Sequence, residues 1–127
     1  MKLIVILGHE GCGAIKAATL PDELINKEEA HLRDMLLEVK RGLSQQGSLG
    51  RIRDTRAKDR EAVVTNVYNQ MAKLGTNEMI TELVSKGELL VVGAFYEISS
   101  GQVPVVVVVA AHCCCCCCRS TFSSGKR

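Results

Sequence analysis

Residues 3–18 read LIVILGHEGCGAIKAA, and the organisation of the whole chain turns on them. The run from Lys2 to Leu7 is continuously apolar and stops at Gly8, the pattern of a parallel strand covered by helices on two sides. AIKAATL then predicts a helix over 13–20, stopped by Pro21. A strand that runs out at His9, with Cys12 three residues on, carries an imidazole and a thiol to its carboxyl end. Open α/β sheets form their sites there. Nitrogen and sulfur donors together suit zinc, which prefers tetrahedral coordination by these atoms. His9 and Cys12 are therefore the candidate metal ligands, two donors where a site needs three or four. The glycines at 8, 11 and 13 are expected to let the backbone bend around the ion. Glu10, between the two donors, reads as a solvent-facing loop acid, with the alternative that it accepts a hydrogen bond behind the metal ligands.

Working outward, PDELINKEEAHLRDMLLEVKRGL from Pro21 sets Leu32, Met35, Leu36, Val39 and Leu43 three and four apart, one helical stripe that closes at Gly42 and SQQGSLG. A second amphipathic helix is predicted over 59–74, with Val63, Val67, Met71 and Leu74 on one face and Gly75 as a left-handed cap. A third begins with Thr76 or Asn77 as N-cap and stops at Gly87. ELLVVGAFYEI reads as a strand, SSGQ as a turn and VPVVVVV as a returning strand. Strand, helices, strand, turn, strand is the order of an α/β domain with a hairpin at one edge.

Two separated motifs then resemble one family. VILGHEGCGAIKAA is similar to the second zinc-ligand segment of the β-class carbonic anhydrases, an apolar strand followed by G-H-x-x-C-G-A and a small-residue helix. NVYNQMAKLG…MITELVSKGELLVVGAFYEISSGQV resembles the same family's later region, with N-V-x-x-Q on a helix, then G-x-L-x-V-x-G, an aromatic, and a hairpin ending S/T-G-x-V. The resemblance covers residues 2–107. It implies a mostly parallel sheet flanked by helices, here incomplete with about three strands, and a C-terminal antiparallel hairpin. It implies zinc as cofactor, His9 and Cys12 as two of three protein ligands, and reversible hydration of carbon dioxide to bicarbonate. It also implies a homodimer or higher assembly. The family's third ligand belongs to a C-x-D-x-R motif, and no such motif occurs in this sequence. The expectation is that this segment lies upstream of Met1. With the motif go the Asp and Arg that pair beside the metal, so no catalytic residue is assigned and impaired activity is expected. An inactive relic or subunit of the same fold, and a relative acting on carbon disulfide or carbonyl sulfide, are the alternative readings.

Composition bounds the rest. At 127 residues the chain has the size of one domain, and aromatics of only 3 % require an aliphatic core. A net charge of +2 argues against nucleic acid and against an acidic membrane surface. Arg51, Arg53, Arg56 and Arg60 alternate with Asp54, Asp59 and Glu61, which reads as a solvated loop or helix start. His31 sits among charges and reads as a surface histidine. The apolar runs are too short for a signal peptide or a span, and six of the seven cysteines are consecutive, unlike a disulfide framework. An intracellular setting, cytoplasmic or organellar, is the expectation. The domain is expected to occupy residues 1–107. Residues 108–127 form a low-complexity Cys-rich tail, expected to be disordered, for which a nucleotide-repeat origin and a soft-metal site at His112 and Cys113–Cys118 both stay open.

Overall fold

A computed structural model describes residues 1–45 and 49–109. Most of the Cys-rich tail, including His112 and the six cysteines, lies outside the described residues. The elements run β1 (Lys2–His9), α1 (Gly13–Ala18), α2 (Asp22–Ile25), α3 (Ala30–Ser44), a 3-10 turn (Leu49–Arg51), α4 (Thr55–Leu74), α5 (Glu78–Ser85), β2 (Leu89–Tyr96) and β3 (Val105–Val109). The described strands make one mixed sheet in the order β1-β2-β3. β1 pairs parallel to β2 from Lys2↔Leu89 to His9↔Tyr96, and β3 returns antiparallel beside β2 with an irregularity at Gly93/Ala94. The expected α/β fold, with about three strands and a terminal hairpin, is what forms.

The core lies between the sheet and α4. Ile4 and Ile6 of β1 and Leu89 and Val91 of β2 pack with Val67 and Met71 of α4, and α5 adds Ile80, Leu83 and Val84. At the other end of α4, Ala62 and Val63 pack with Ile15, Leu43 and Phe95. The stripe predicted on α4 is thus the buried one. Its start comes four residues earlier than expected, because the Asp54 carboxylate accepts the Ala57 N–H at 2.7 Å and caps the helix. Of the charges read as a solvated loop or helix start, Asp54 is the cap and Arg56 lies in the first turn of this helix.

β1 departs from the two-sided strand predicted for it. Ile4 and Ile6 meet the core, but Leu3, Val5 and Leu7 are 59 %, 48 % and 54 % exposed. Successive side chains point to opposite faces, so one face of β1 is uncovered among the described residues. β1 also stands at the sheet edge, with β2 as its one described neighbour.

The segment after Pro21 divides into α2 and α3, and the whole of the predicted stripe falls on α3. Ile25 and Leu36 line one cluster with Ala18, whereas eleven residues of unbroken helix would hold them about 16 Å apart. The chain therefore turns at 26–29, and of the stripe Leu36 and Leu43 are buried while Leu32 and Met35 stay exposed. Lys40 clasps the turned segment by donating to the Leu20 carbonyl and the Asp22 carboxylate, each at 2.6 Å. Gly75 is right-handed at φ −64, not the left-handed cap predicted, because the chain runs through a tight turn straight into α5. Gly87 does take the left-handed conformation at φ +69. No described helix is long and apolar enough to cross a membrane.

Two glycines set how closely α4 lies on the sheet. A Cβ at Gly8 would stand 2.5 Å from Val63 Cγ1 and 2.9 Å from Val67 Cγ2. One at Gly93 would stand 2.6 Å from both Met71 Sδ and Val107 Cγ1. Gly93→Ala is expected to cost about 1–3 kcal/mol by overpacking. Gly13→Ala, where an added Cβ meets nothing within 4 Å, is expected to be close to neutral. Urea unfolding of the two variants checks this, and equal midpoints for both would contradict the packing account.

Candidate metal centre

The candidate site forms where β1 ends. His9 is the last residue of the strand, on the face shared by Leu3, Val5 and Leu7, and its side chain is exposed. Its Nδ1 lies 3.1 Å from the Glu10 carbonyl oxygen, so the tautomer that donates there leaves Nε2 as a free donor atom for a metal. Gly11 then turns the chain at φ +70, where a side chain would be strained. Cys12 follows at the N-cap of α1, its carbonyl accepting from the Lys16 N–H at 3.2 Å. It is a free cysteine, half-buried against the cluster of Ile15, Leu43, Ala62, Val63 and Phe95.

Both predicted ligands thus sit on one short loop at the carboxyl end of the sheet. Of the three glycines expected to bend the backbone there, only Gly11 does so. Gly8 serves the approach of α4, and Gly13 opens α1. The donor set is an imidazole nitrogen and a thiol, which fits zinc in kind. It does not complete a site, since no group of three or more His, Cys, Asp or Glu residues that could hold a metal ion occurs among the described residues. His31 is exposed on α3, as its sequence context implies.

Glu10 is not the solvent-facing acid that the sequence implied. Its backbone N–H continues the ladder by donating to the Tyr96 carbonyl at 2.9 Å. Its carboxylate turns toward the β2–β3 turn, accepting the Ser99 N–H at 3.0 Å and the Arg56 guanidinium at 2.8 Å, and its side chain is 25 % exposed. The same Arg56 nitrogen donates to Ser99 Oγ at 3.0 Å. The backbone N–H of Ser99 first, then its hydroxyl and Arg56, hold the Glu10 carboxyl below the ordinary glutamate range. Nothing in the spacing announces this cluster, because its partners lie 46 and 89 residues from Glu10. The one local signal was an acid between two donors.

Beside this loop a cleft of about 660 Å³ opens, floored by Val63 and Phe95. Its charged rim is internally matched. Arg60 Nη1 lies 3.3 Å from Glu97, the Arg60 Cζ lies 5.0 Å from the centre of the Phe95 ring, and Lys16 Nζ lies 3.7 Å from Asp59.

Comparison with known proteins identifies the family and the fold. The family model described as carbonic anhydrase matches residues 1–103. Carbonic anhydrase 2 of Mycobacterium tuberculosis is 31 % identical over 103 residues, which are 80 % of this chain and 47 % of that protein. Among solved structures, a β-carbonic anhydrase of Sordaria macrospora, described as tetrameric, superposes with a TM-score of 0.75 at 25 % identity, over 87 % of this chain and 55 % of its own. The Coccomyxa β-carbonic anhydrase, solved with acetazolamide, superposes with a TM-score of 0.68 at 19 % identity, over 87 % and 49 %. The chain spans about half the length of these relatives. The family match over residues 1–103 and the superposition on solved structures show that this chain belongs to the β-carbonic anhydrase family.

Proposed function

We propose that this chain supplies the His-Cys donor segment of a zinc centre for the reversible hydration of carbon dioxide to bicarbonate. The observation that carries the reading is the loop at the end of β1. There His9 has Nδ1 against the Glu10 carbonyl and Nε2 free, and Cys12 carries an unpaired thiol three residues on. Zinc, when bound, supplies Lewis-acid activation of water. The residues of this chain hold and orient the ion through His9 and Cys12, and the Val63–Phe95 floor gives an apolar wall beside the loop. With two donors among the described residues, zinc affinity and turnover of the chain on its own fall far below those of a site with three protein ligands. The same shortfall favours the second reading, a non-catalytic subunit of this fold.

A site-resolved test avoids the tail cysteines. Zinc titration of the full-length ¹⁵N-labelled chain is expected to shift the amides of Gly11, Cys12 and Gly13, and His9→Ala or Cys12→Ser is expected to abolish those shifts. Unchanged shifts in both variants would remove the ligand assignment. Stopped-flow hydration at saturating zinc separates the two readings: turnover above the uncatalysed rate identifies an enzyme, and its absence identifies the inactive subunit.

Assembly as a homodimer or higher oligomer is part of the same proposal. It is supported by the apolar face of Leu3, Val5 and Leu7 and by the position of β1 at the sheet edge, both of which favour association. Sedimentation of the full chain is expected to give at least a dimer, shifted toward monomer by Val5→Lys. A monomeric wild type would contradict this.

A further inference from the structure

Resting on the zinc-site reading above, we infer that Glu10 is a positioning residue for the donor pair, holding the His9–Cys12 loop in a binding geometry without touching the metal. Three observations carry this. Among the described residues, Glu10 is the only member of the Gly8–Gly13 stretch whose side chain makes a hydrogen bond or ion pair with another element. Its two carboxylate oxygens are divided between two anchors, Oε2 on the Ser99 N–H of the hairpin turn and Oε1 on Arg56 in the first turn of α4. Arg56 also grips Ser99 Oγ, which closes a three-residue ring around the carboxylate.

The ring acts where the loop is otherwise weakest. Ladder pairing with β2 ends at the Glu10 N–H, and α1 begins at Gly13. Between them Gly11, the residue with the most backbone freedom, separates the two donors. The Glu10 carbonyl is also the oxygen that His9 Nδ1 faces. Fixing the Glu10 backbone through its side chain therefore fixes the acceptor that selects the His9 tautomer and the point from which Gly11 turns the chain into Cys12. Charge-assisted hydrogen bonds to a carboxylate whose side chain is only 25 % exposed suit this task better than a fully exposed ion pair would. The Ser99 N–H is the firmer anchor, since the Arg56 side chain is 75 % exposed.

The test measures zinc affinity at the Gly11–Gly13 amides of the full-length chain, with thermal midpoints as a control for global folding. Glu10→Ala, which removes both anchors, is expected to weaken zinc by about tenfold, the lower end of the effect of losing an outer partner of a metal ligand. Glu10→Gln is expected to fall between Ala and wild type, because its amide oxygen still accepts from Ser99 but the negative charge that Arg56 pairs with is lost. Arg56→Ala is expected to weaken zinc by a smaller factor than Glu10→Ala, and Arg56→Lys to restore most of that loss. This graded order at unchanged thermal midpoints supports positioning. Affinity in Glu10→Ala within twofold of wild type, or a loss that only tracks the thermal midpoint, overturns it while leaving the zinc reading intact. A wild-type chain whose Gly11–Gly13 amides do not respond to zinc overturns both.

Discussion

The close approach of α4 to β1 and β2 governs this molecule. Two glycines, Gly8 and Gly93, lie where Val63, Val67 and Met71 press on the strands, with no room for even a methyl group at either position. Interiors are packed to crystal-like density, so a helix this close is held by many small dispersion contacts that a spacing of one methylene would reduce. The consequence reaches the site directly. Gly8 precedes His9, and Val63 shares a cluster with Cys12. The contact that seats the helix therefore also fixes the height at which His9 and Cys12, the proposed metal donors, leave the sheet.

From that seat the loop between the donors is tied at both ends and in its middle. β1 remains in register with β2 as far as His9↔Tyr96, and α1 begins one residue after Cys12. The hairpin turn returns to Glu10 from the far side, with Gly101 at φ +72 closing the turn and its N–H donating to the Glu97 carbonyl at 2.8 Å. Glu97 in turn holds Arg60, which lies over Phe95 in the floor of the neighbouring cleft. Each of these ion pairs is partly solvated and contributes little to stability alone. Linked through α4, they make the charged rim self-satisfied, with each acid at the loop facing a base from the helix.

Much of this was legible in the sequence because it depends on period and local chemistry. The stripe of Val63, Val67 and Met71, the Asn77 cap, the left-handed Gly87 and the β2–β3 hairpin are all short-range signals, and all are present in the structure. Recognition of the family rested on two motifs whose residues lie on β1 and β2, paired strands more than 80 positions apart in the chain. What could not be read was set by three-dimensional proximity. The break after Ile25 follows from a cluster shared with Ala18 and Leu36. The role of Gly93 follows from a helix that begins nearly 40 residues earlier. Arg56 looked like one member of a solvated run, yet it meets Glu10 across 46 residues of sequence. Likewise, the alternating exposure of β1 cannot be inferred from its own composition, since Leu3, Ile4, Val5 and Ile6 are equally apolar.

That alternation connects the fold to the chemistry. His9 lies on the same face of β1 as Leu3, Val5 and Leu7, opposite Tyr96 in the register, while Cys12 is packed toward the core side. The imidazole is therefore in water and the thiol half out of it. A zinc centre works best in a dry, shaped cavity, where electrostatic interactions are not screened and the ion's hydration is controlled by the protein. Any surface that covers the apolar side of β1 lies against His9 as well, because strand geometry places the two on one plane. Covering that face and drying the imidazole are then a single physical event. Association would contribute hydrophobic stabilisation along Leu3, Val5 and Leu7 and, at the strand's end, low-dielectric surroundings for the proposed donor pair.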